Sequence, residues 1–573
     1  MENISGKIKE IVHEAVKKLN IIDDIIFTIE QPEDSSHGDF ATNVAFPLSK
    51  QLKCSPKEAA EKLALLLNED KSNVISKVEI AGPGFINFSL NDEVIRDCIR
   101  NFEEKAFFET KYTGKKILIE HSSPNLFKPF SVGHLMNNIT GEAVGHLMRA
   151  GGAKVNTIAF PSDISLGIAK AIYIIKLEED KFEEVLQKDK EEIVAYLGKS
   201  YVEGVAHYEK YPDLQKEIKS IAQKLYSKTE SKELEIYEKA KKFNMEYFIS
   251  LMDSLGSHFD DFYYESQAGD LGKEIVLKYT PEVFTKSEGA IVYIPPEERK
   301  DLNTLVFINS QGNPTYEAKD IGLLSYKFEK FDPDYSLFVT DNEQTTHFKV
   351  VLAAAEKIEK NWAEKSQHIP HGRMTFKGEK MSSRLGGVPL AMDVINTVIE
   401  EVKNIGSEKL QGLEEIEKEK VYKQVALAAL KFSILRSKLG SNINFDPETS
   451  LSFEGDSGPY VQYTYARARS LLEKSESLNS SPSYSNEQNI TTLERKLIHF
   501  ESLAIRAIEE ISPQHIVKYL FDLSQLFNNY YATTPIIVEG DQATPHRLAI
   551  VNSVSLVLKK SLNMIAVEAP EKM

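Results

Sequence analysis

The residues from Glu120 to Gly152, EHSSPNLFKPFSVGHLMNNITGEAVGHLMRAGG, bring Asn125, Lys128 and His134 together with two prolines and a glycine turn. The apolar run Ile117 to Ile119 predicts a short strand feeding this polar loop, and Gly133-His134 opens a helix that ends at Gly151-Gly152. Strand, glycine turn and helix start aim backbone N–H groups and a positive dipole end at a phosphate. The lysine, asparagine and histidine can then hold a nucleotide beside a second substrate. Taken singly these residues stay ambiguous. Lys128 is a phosphate-directed charge or a solvated surface lysine. His134 holds phosphate oxygens, or it is a helix-capping or core histidine.

A second candidate is the glycine-bounded segment GEKMSSRLGG, with Lys380, Met381, Ser382 and Ser383 at its centre. Flanking glycines let such a loop move and let its backbone approach a ligand. Lys380 and the two serine hydroxyls can grip a triphosphate as charge develops on leaving pyrophosphate. A five-residue string alone is equally a mobile surface turn.

The elements that must position these residues read as three units, residues 1–105, 106–390 and 391–573. In the first, helical patterns (Ile4 to Leu19, Pro56 to Leu67) flank strand-like runs at Ile25 to Ile29 and Val78 to Ile80. Ala81 to Leu90 reads as a glycine turn and a strand, and His37 to Asn43 as a polar loop entering a helix; a mixed α/β module follows. In the second unit, strand 116–119, helix 134–149 and strand 153–159 make a βαβ unit and hence a parallel sheet. The charge-rich stretch from about 177 to 252 predicts a helical insertion that splits the sheet. Strand patterns return at Ala290 to Ile294, Leu305 to Ile308 and Ser336 to Thr340. The third unit reads as nearly all helix, an all-α bundle, with helices at Val421 to Leu439, Tyr460 to Lys474, Thr492 to Ile511 and His546 to Met564.

Composition bounds the function. The 573 residues are 42% hydrophobic and 27% charged, ordinary values for a globular protein. No apolar run reaches the ~18 residues of a membrane span, and the N-terminus is an amphipathic helix pattern rather than a signal peptide. Two cysteines, Cys54 and Cys98, make neither a zinc site nor a disulfide framework, and fit a reducing cytosol. A net charge of −17 argues against nonspecific nucleic-acid coating, but leaves room for a local basic groove.

The two loops together, one after the first strand and one after the last, resemble the HIGH and KMSKS signatures of class I aminoacyl-tRNA synthetases. The whole chain resembles the arginyl-tRNA synthetase family. SSPN…KPF.VGHLM resembles its signature loop; PTYEAKDIG, QTTHFK and KMSSR resemble its active-site landmarks. HGDFATN with AGPGFINF resembles its N-terminal extra domain, and FEGDSGPYVQYTYARARS with the terminal PEKM its anticodon-binding domain. The resemblance implies a Rossmann-like α/β catalytic core with a helical insertion, an N-terminal α+β module and an all-α anticodon-binding bundle. It implies arginine activation by ATP with Mg²⁺ carried on the nucleotide, transfer to tRNA(Arg), a cytoplasmic monomer, no membrane partner and no dedicated protein metal site. Adenylate formation is expected to require bound tRNA, and editing is not expected.

By the same resemblance Asn125, Tyr316, Asp320 and Gln344 are the arginine-binding set. Ser131, Gly133, His134, His347 and the 380–384 loop are the ATP set. Tyr316 and Asp320, four apart on an apparent helix, share one face, where a carboxylate can take a guanidinium fork bidentately and a tyrosine can stack on it. An ordinary amphipathic helix with a surface aspartate has the same spacing. Tyr460, Tyr463 and Arg467 are expected to meet unpaired anticodon bases; their i, i+3, i+7 spacing also suits packing inside the bundle. Two departures matter. Ser131 stands where the family has the first histidine of HIGH, and Ser383 replaces the second lysine of KMSKS. The resemblance assigns that missing charge to Lys128, just before the first signature. Beside a working synthetase, a non-catalytic tRNA-binding relative and a synthetase for another amino acid remain as readings; Ser131 favours the former and Asp320 opposes the latter.

Overall fold

The computed structural model describes every residue except 1–3, 22–24, 33, 71, 101–106, 378–388, 407–413, 453, 479 and 572. The chain divides into two compact units, one of residues Lys111–Leu451 and one that joins Met1–Thr110 to Ser452–Met573. No helix among the described residues is long and apolar enough to cross a membrane.

The unit 111–451 is built on a five-stranded parallel sheet in the order Ser366–His371, Tyr335–Asp341, Lys116–Glu120, Lys154–Ala159, Asp261–Phe262. The central strand is apolar on both faces, with Ile117, Leu118 and Ile119 all buried, as a sheet covered on two sides requires. From that strand the chain first builds outward on one side, then returns to build on the other. The reversal opens a crevice at the carboxyl ends of Lys116–Glu120 and Tyr335–Asp341. The helix Val132–Ala150 follows the central strand, as its Gly133 start and Gly151-Gly152 stop predict.

Five helices, Leu166–Leu177, Glu179–Val185, Lys190–Lys210, Leu214–Tyr226 and Lys232–Ser254, fill the crossover between two neighbouring strands. The helical excursion starts ahead of the charge-rich stretch because its first helix is apolar nearly all round. Ile168, Ile172 and Ile175 are buried, and a Cβ on Gly204 would lie 2.3 Å from the carbonyl of Lys170. The strands Ala290–Tyr293 and Leu305–Ile308 join Thr285–Ser287 in a separate antiparallel sheet rather than the parallel one. Glu288 and Gly289, at φ 49° and 83°, make the two-residue turn that only an antiparallel hairpin uses.

Within the stretch after residue 390 expected to be nearly all helix, Ile443–Phe445 is a strand, paired in parallel with Met374–Phe376.

In the other unit, the N-terminal part is a four-stranded antiparallel sheet with the helices Ile4–Lys17, Ala45–Leu52 and Pro56–Leu67. The last begins at a Ser55–Glu58 capping box followed by Pro56, the start signal legible in the sequence. The expected polar loop at His37 to Asn43 instead contains an inner strand, Phe40–Thr42, paired with Phe85–Leu90. Phe40 and Thr42 are buried, and Gly38 (φ +95°) lets the backbone press on the Phe88 carbonyl. Only Ile29–Glu30 of the run from Ile25 pairs as a strand. The C-terminal part is all helix: Gly458–Ser477, Thr492–Leu497, Phe500–Glu509, Pro513–Thr533 and Thr544–Met564. The single helix expected over 492–511 is broken near His499, where the Tyr519 hydroxyl donates to the Lys496 carbonyl that the Phe500 N–H would otherwise use. Asp39 accepts from Arg495 Nη1 at 2.8 Å and from the Leu90 N–H at 2.7 Å, tying the two parts together.

The helix bearing Tyr316 and Asp320, Tyr316–Phe331, packs on Glu265–Lys278 with backbones in close approach. A Cβ on Gly322 would stand 2.0 Å from the Ala268 carbonyl, and one on Gly272 1.8 Å from that of Ala318. An alanine at 322 must push the helices apart and is expected to cost about 1–3 kcal/mol, read as a lowered denaturant midpoint. An unchanged midpoint contradicts this packing.

Candidate active site

The loop between the central strand and its helix is tied down along its length. Ser122, at φ 57°, donates its N–H to Asn137 Oδ1 at 2.7 Å. Phe127, at φ 65°, donates to Asn244 Oδ1 at 2.6 Å. Across to the second strand's exit, the Leu126 N–H donates to the Ser162 carbonyl and the Ser162 N–H to the Pro124 carbonyl. The insertion helices therefore form one wall of the loop. Gly198 faces Pro129 closely, and the Phe130 ring lies 6.1 Å from that of Phe248.

Ser131 is the N-cap of Val132–Ala150 and His134 is its third residue. His134 Nδ1 accepts from the Ser131 N–H at 3.1 Å and lies 3.0 Å from its hydroxyl. The ring stacks on Phe130 and lies 3.3 Å from the Asn125 amide through Nε2. Burial, helped by repulsion from His371 and Lys128, lowers the ring to about 4. The imidazole is therefore neutral, with Nδ1 accepting and its proton on Nε2. His134 caps its own helix and turns Nε2 toward Asn125. Ser131, which replaces a histidine of the signature, has its hydroxyl engaged in that cap. Gly133 is open, since a Cβ there meets nothing nearer than 3.6 Å. Lys128 is exposed, with its ammonium 4.9 Å above the ring of Tyr201 on the insertion helix Lys190–Lys210.

The second half of the site lies past the end of the neighbouring strand, Tyr335–Asp341. There a short turn, Asn342–Gln344, leads into the helix Thr345–Ile358. His347, in its first turn, reaches Asp320 Oδ2 at 2.6 Å through Nε2 and Glu317 Oε1 at 3.5 Å through Nδ1. Burial alone would depress this ring, but the hydrogen bonds to Asp320 and Glu317 outweigh it and raise it to about 10. The imidazolium thus sits on the carboxylate expected to take a guanidinium. Tyr316, at the start of the same helix, is 62% exposed, its ring 5.1 Å from the Lys319 ammonium. Lys319 pairs with Glu265 at 2.5 Å, both buried. Gln344 is exposed at the helix cap. Lys380, Met381, Ser382 and Ser383 lie outside the described residues.

The structure joins Asn125 to His134 and Asp320 to His347. Tyr201, Glu317, Lys319 and Glu265 were not singled out by sequence reasoning. Glu317 and Lys319 stand inside PTYEAKDIG, where the i, i+3 spacing of Glu317 with Asp320 and of Tyr316 with Lys319 was a signal; Glu265 and Tyr201 carry no motif. In the other unit, the Arg467 guanidinium lies between the rings of Tyr463 (4.8 Å) and Tyr531 (4.7 Å) and donates to Asn528. Tyr460 is half-buried near the start of the same helix.

A family model described as the catalytic domain of class I (R) tRNA synthetases matches residues 101–446. The arginyl tRNA synthetase N-terminal domain matches 6–90, and the DALR anticodon binding domain 461–573. The chain belongs to the arginyl-tRNA synthetase family. An arginine–tRNA ligase from an Exiguobacterium species is 31% identical over 556 residues, 96% of either chain. Arginine–tRNA ligase 2 of Bacillus anthracis is 31% identical over 559 residues, again 96% of either chain. The arginyl-tRNA synthetase structure from Thermus thermophilus matches with a TM-score of 0.82 over 99% of this chain and 100% of its own; at 24% identity it speaks for the fold. A class I catalytic domain uses ATP, and a DALR domain serves tRNA binding.

In this family member the two site histidines should titrate far apart. His134, lowered to about 4, holds fewer protons folded than unfolded between about 4 and the ordinary 6.5, so its contribution erodes stability as pH falls through that window. His347, raised to about 10, stabilises fully below 6.5 and loses that contribution as pH rises through about 10. Ring NMR titrations of the two should show these midpoints; both near 6.5 would refute the assigned environments.

Proposed function

We propose that the chain is an arginine–tRNA ligase working through the two half-sites at the crevice. The observation that carries this is the carboxylate pair Glu317–Asp320 on one helix, already holding a cation, past the strand next to the one that feeds the signature loop. A pocket for an apolar side chain has no use for that charge. An arginine carboxylate oxygen attacks the α-phosphorus of Mg²⁺-bound ATP, the new P–O bond forms and pyrophosphate leaves. A terminal ribose hydroxyl of tRNA(Arg) then attacks the arginyl carbonyl, and AMP leaves. No covalent enzyme intermediate is needed, so the protein's share is positioning and charge stabilisation.

In this reading Asn125, Tyr316, Asp320 and Gln344 hold arginine. His134 presents Nε2–H, and Gly133 its open backbone, to ATP beside Ser131; Lys380, Met381, Ser382 and Ser383 grip the phosphates. Lys128 supplies the charge that Ser383 lacks, swinging from the Tyr201 face. Tyr460, Tyr463 and Arg467 meet the anticodon, with the Tyr463–Arg467–Tyr531 stack offering an aromatic face to an unpaired base. The enzyme acts as a monomer in the cytoplasm, in the three-domain arrangement 1–105, 106–390 and 391–573. The non-catalytic reading rests on Ser131, whose hydroxyl is engaged with His134 Nδ1, while His134 Nε2 faces the Asn125 amide.

ATP–pyrophosphate exchange tests this directly, with each amino acid in turn and with or without tRNA. Exchange with arginine alone, and only with tRNA present, is expected; tRNA binding without exchange under any condition would favour the non-catalytic reading. Lys128→Ala should lower the exchange rate roughly 100-fold, about 3 kcal/mol of barrier. An unchanged turnover in that variant removes Lys128 from the chemistry.

A further inference from the structure

We propose that His347 is a positioning residue for amino-acid recognition: it pins Asp320 by one oxygen and leaves the other for the substrate guanidinium. The proposal rests on the arginine reading above. Both ring nitrogens face carboxylates, Nε2 toward Asp320 Oδ2 at 2.6 Å and Nδ1 toward Glu317 Oε1 at 3.5 Å, and a ring that donates on both sides is a cation. The Phe348 ring meets it edge-on at 4.9 Å, so the plane of the imidazole is fixed by packing as well.

Charge arithmetic favours a positioning role over a nucleotide contact. Glu317 and Asp320 stand one helical turn apart and would repel each other without a cation between them. With His347 in place the trio carries one net negative charge, and the neighbouring Glu265–Lys319 pair is neutral by itself. One monocationic side chain therefore completes the pocket, and a second carboxylate need not be neutralised by the substrate. The same geometry alters the expected two-oxygen fork: Oδ2 of Asp320 is engaged by His347, so the guanidinium approaches through Oδ1.

The test is steady-state aminoacylation of tRNA(Arg) by the full chain, varying arginine and ATP separately, for the unaltered protein, His347→Leu and His347→Gln. The leucine variant should raise KM for arginine roughly 10- to 100-fold, the scale of one hydrogen bond to a charged partner, while KM for ATP stays within about twofold. The glutamine variant, which can donate to Asp320 but carries no charge, should recover part of the loss. A rise in KM for ATP with the arginine KM unmoved overturns the proposal and returns His347 to the nucleotide. An arginine KM unmoved in both variants also overturns it, as does a loss confined to kcat. Thermal unfolding of both variants separates a folding defect from these outcomes, since the glutamine variant keeps the hydrogen bond and must still show the KM split if it folds. Absence of arginine-dependent charging by the unaltered protein is a different failure, of the functional reading itself, and removes the proposal with it.

Discussion

Two strands, Lys116–Glu120 and Tyr335–Asp341, lie side by side and run the same way, Tyr335 opposite Ile117 and Phe338 opposite Glu120. Parallel pairing brings both carboxyl ends to one edge of the sheet, and each end releases the chain into a helix start. One start carries Ser131, Gly133 and His134; the other carries Gln344 and His347. Were this pair antiparallel, the two half-sites would stand on opposite edges. The neutral imidazole at one start and the charged one at the other then follow from what each faces: an aromatic ring and an amide for His134, two carboxylates for His347.

The crevice is bordered by buried charge. Glu120 pairs with Lys327, Glu265 with Lys319, and Asp163 with Lys241, the carboxylates all nearly inaccessible. Such pairs repay their desolvation poorly and are better understood as direction-setters than as glue. Asp163 illustrates this. It accepts from Tyr237 and Lys241 of an insertion helix and from the Ser266 N–H and hydroxyl at the start of Glu265–Lys278. One carboxylate thereby sets the insertion and the Glu265 helix against each other. That helix in turn supports Tyr316–Phe331 through the Gly272 and Gly322 contacts, so the orientation of Asp320 is inherited from backbone close approach rather than from its own neighbours alone.

Much of this was legible in the residues. The capping box at Ser55–Glu58 and the glycine stop at Gly151 are local signals, written within one turn of where they act. Parallel pairing at residues 116–159 followed from strand–helix–strand order. What was not legible depends on partners far along the chain. Phe40–Thr42 is too short to show alternation, and its strand partner begins at Phe85. The helix break near His499 is caused by a tyrosine hydroxyl 23 residues later. Asp320 was readable as a cation-seeking carboxylate, but not as one already occupied, because His347 is 27 residues away on another helix. Lys128 was readable as a phosphate-directed charge or a solvated lysine, but its place over Tyr201 was not, since no pattern marks a tyrosine whose ring face is used.

The Asp39–Arg495 contact spans 456 residues. During synthesis, the strand that carries Asp39 leaves the ribosome long before its partner exists; at ~5–20 residues per second the delay is roughly 20–90 s. Throughout that interval the whole of 111–451 emerges and can fold, while the Asp39 carboxylate and the Phe40 ring, which lies against His499, wait uncovered. The first module made is thus among the last completed, and chaperones have a defined period in which to guard it.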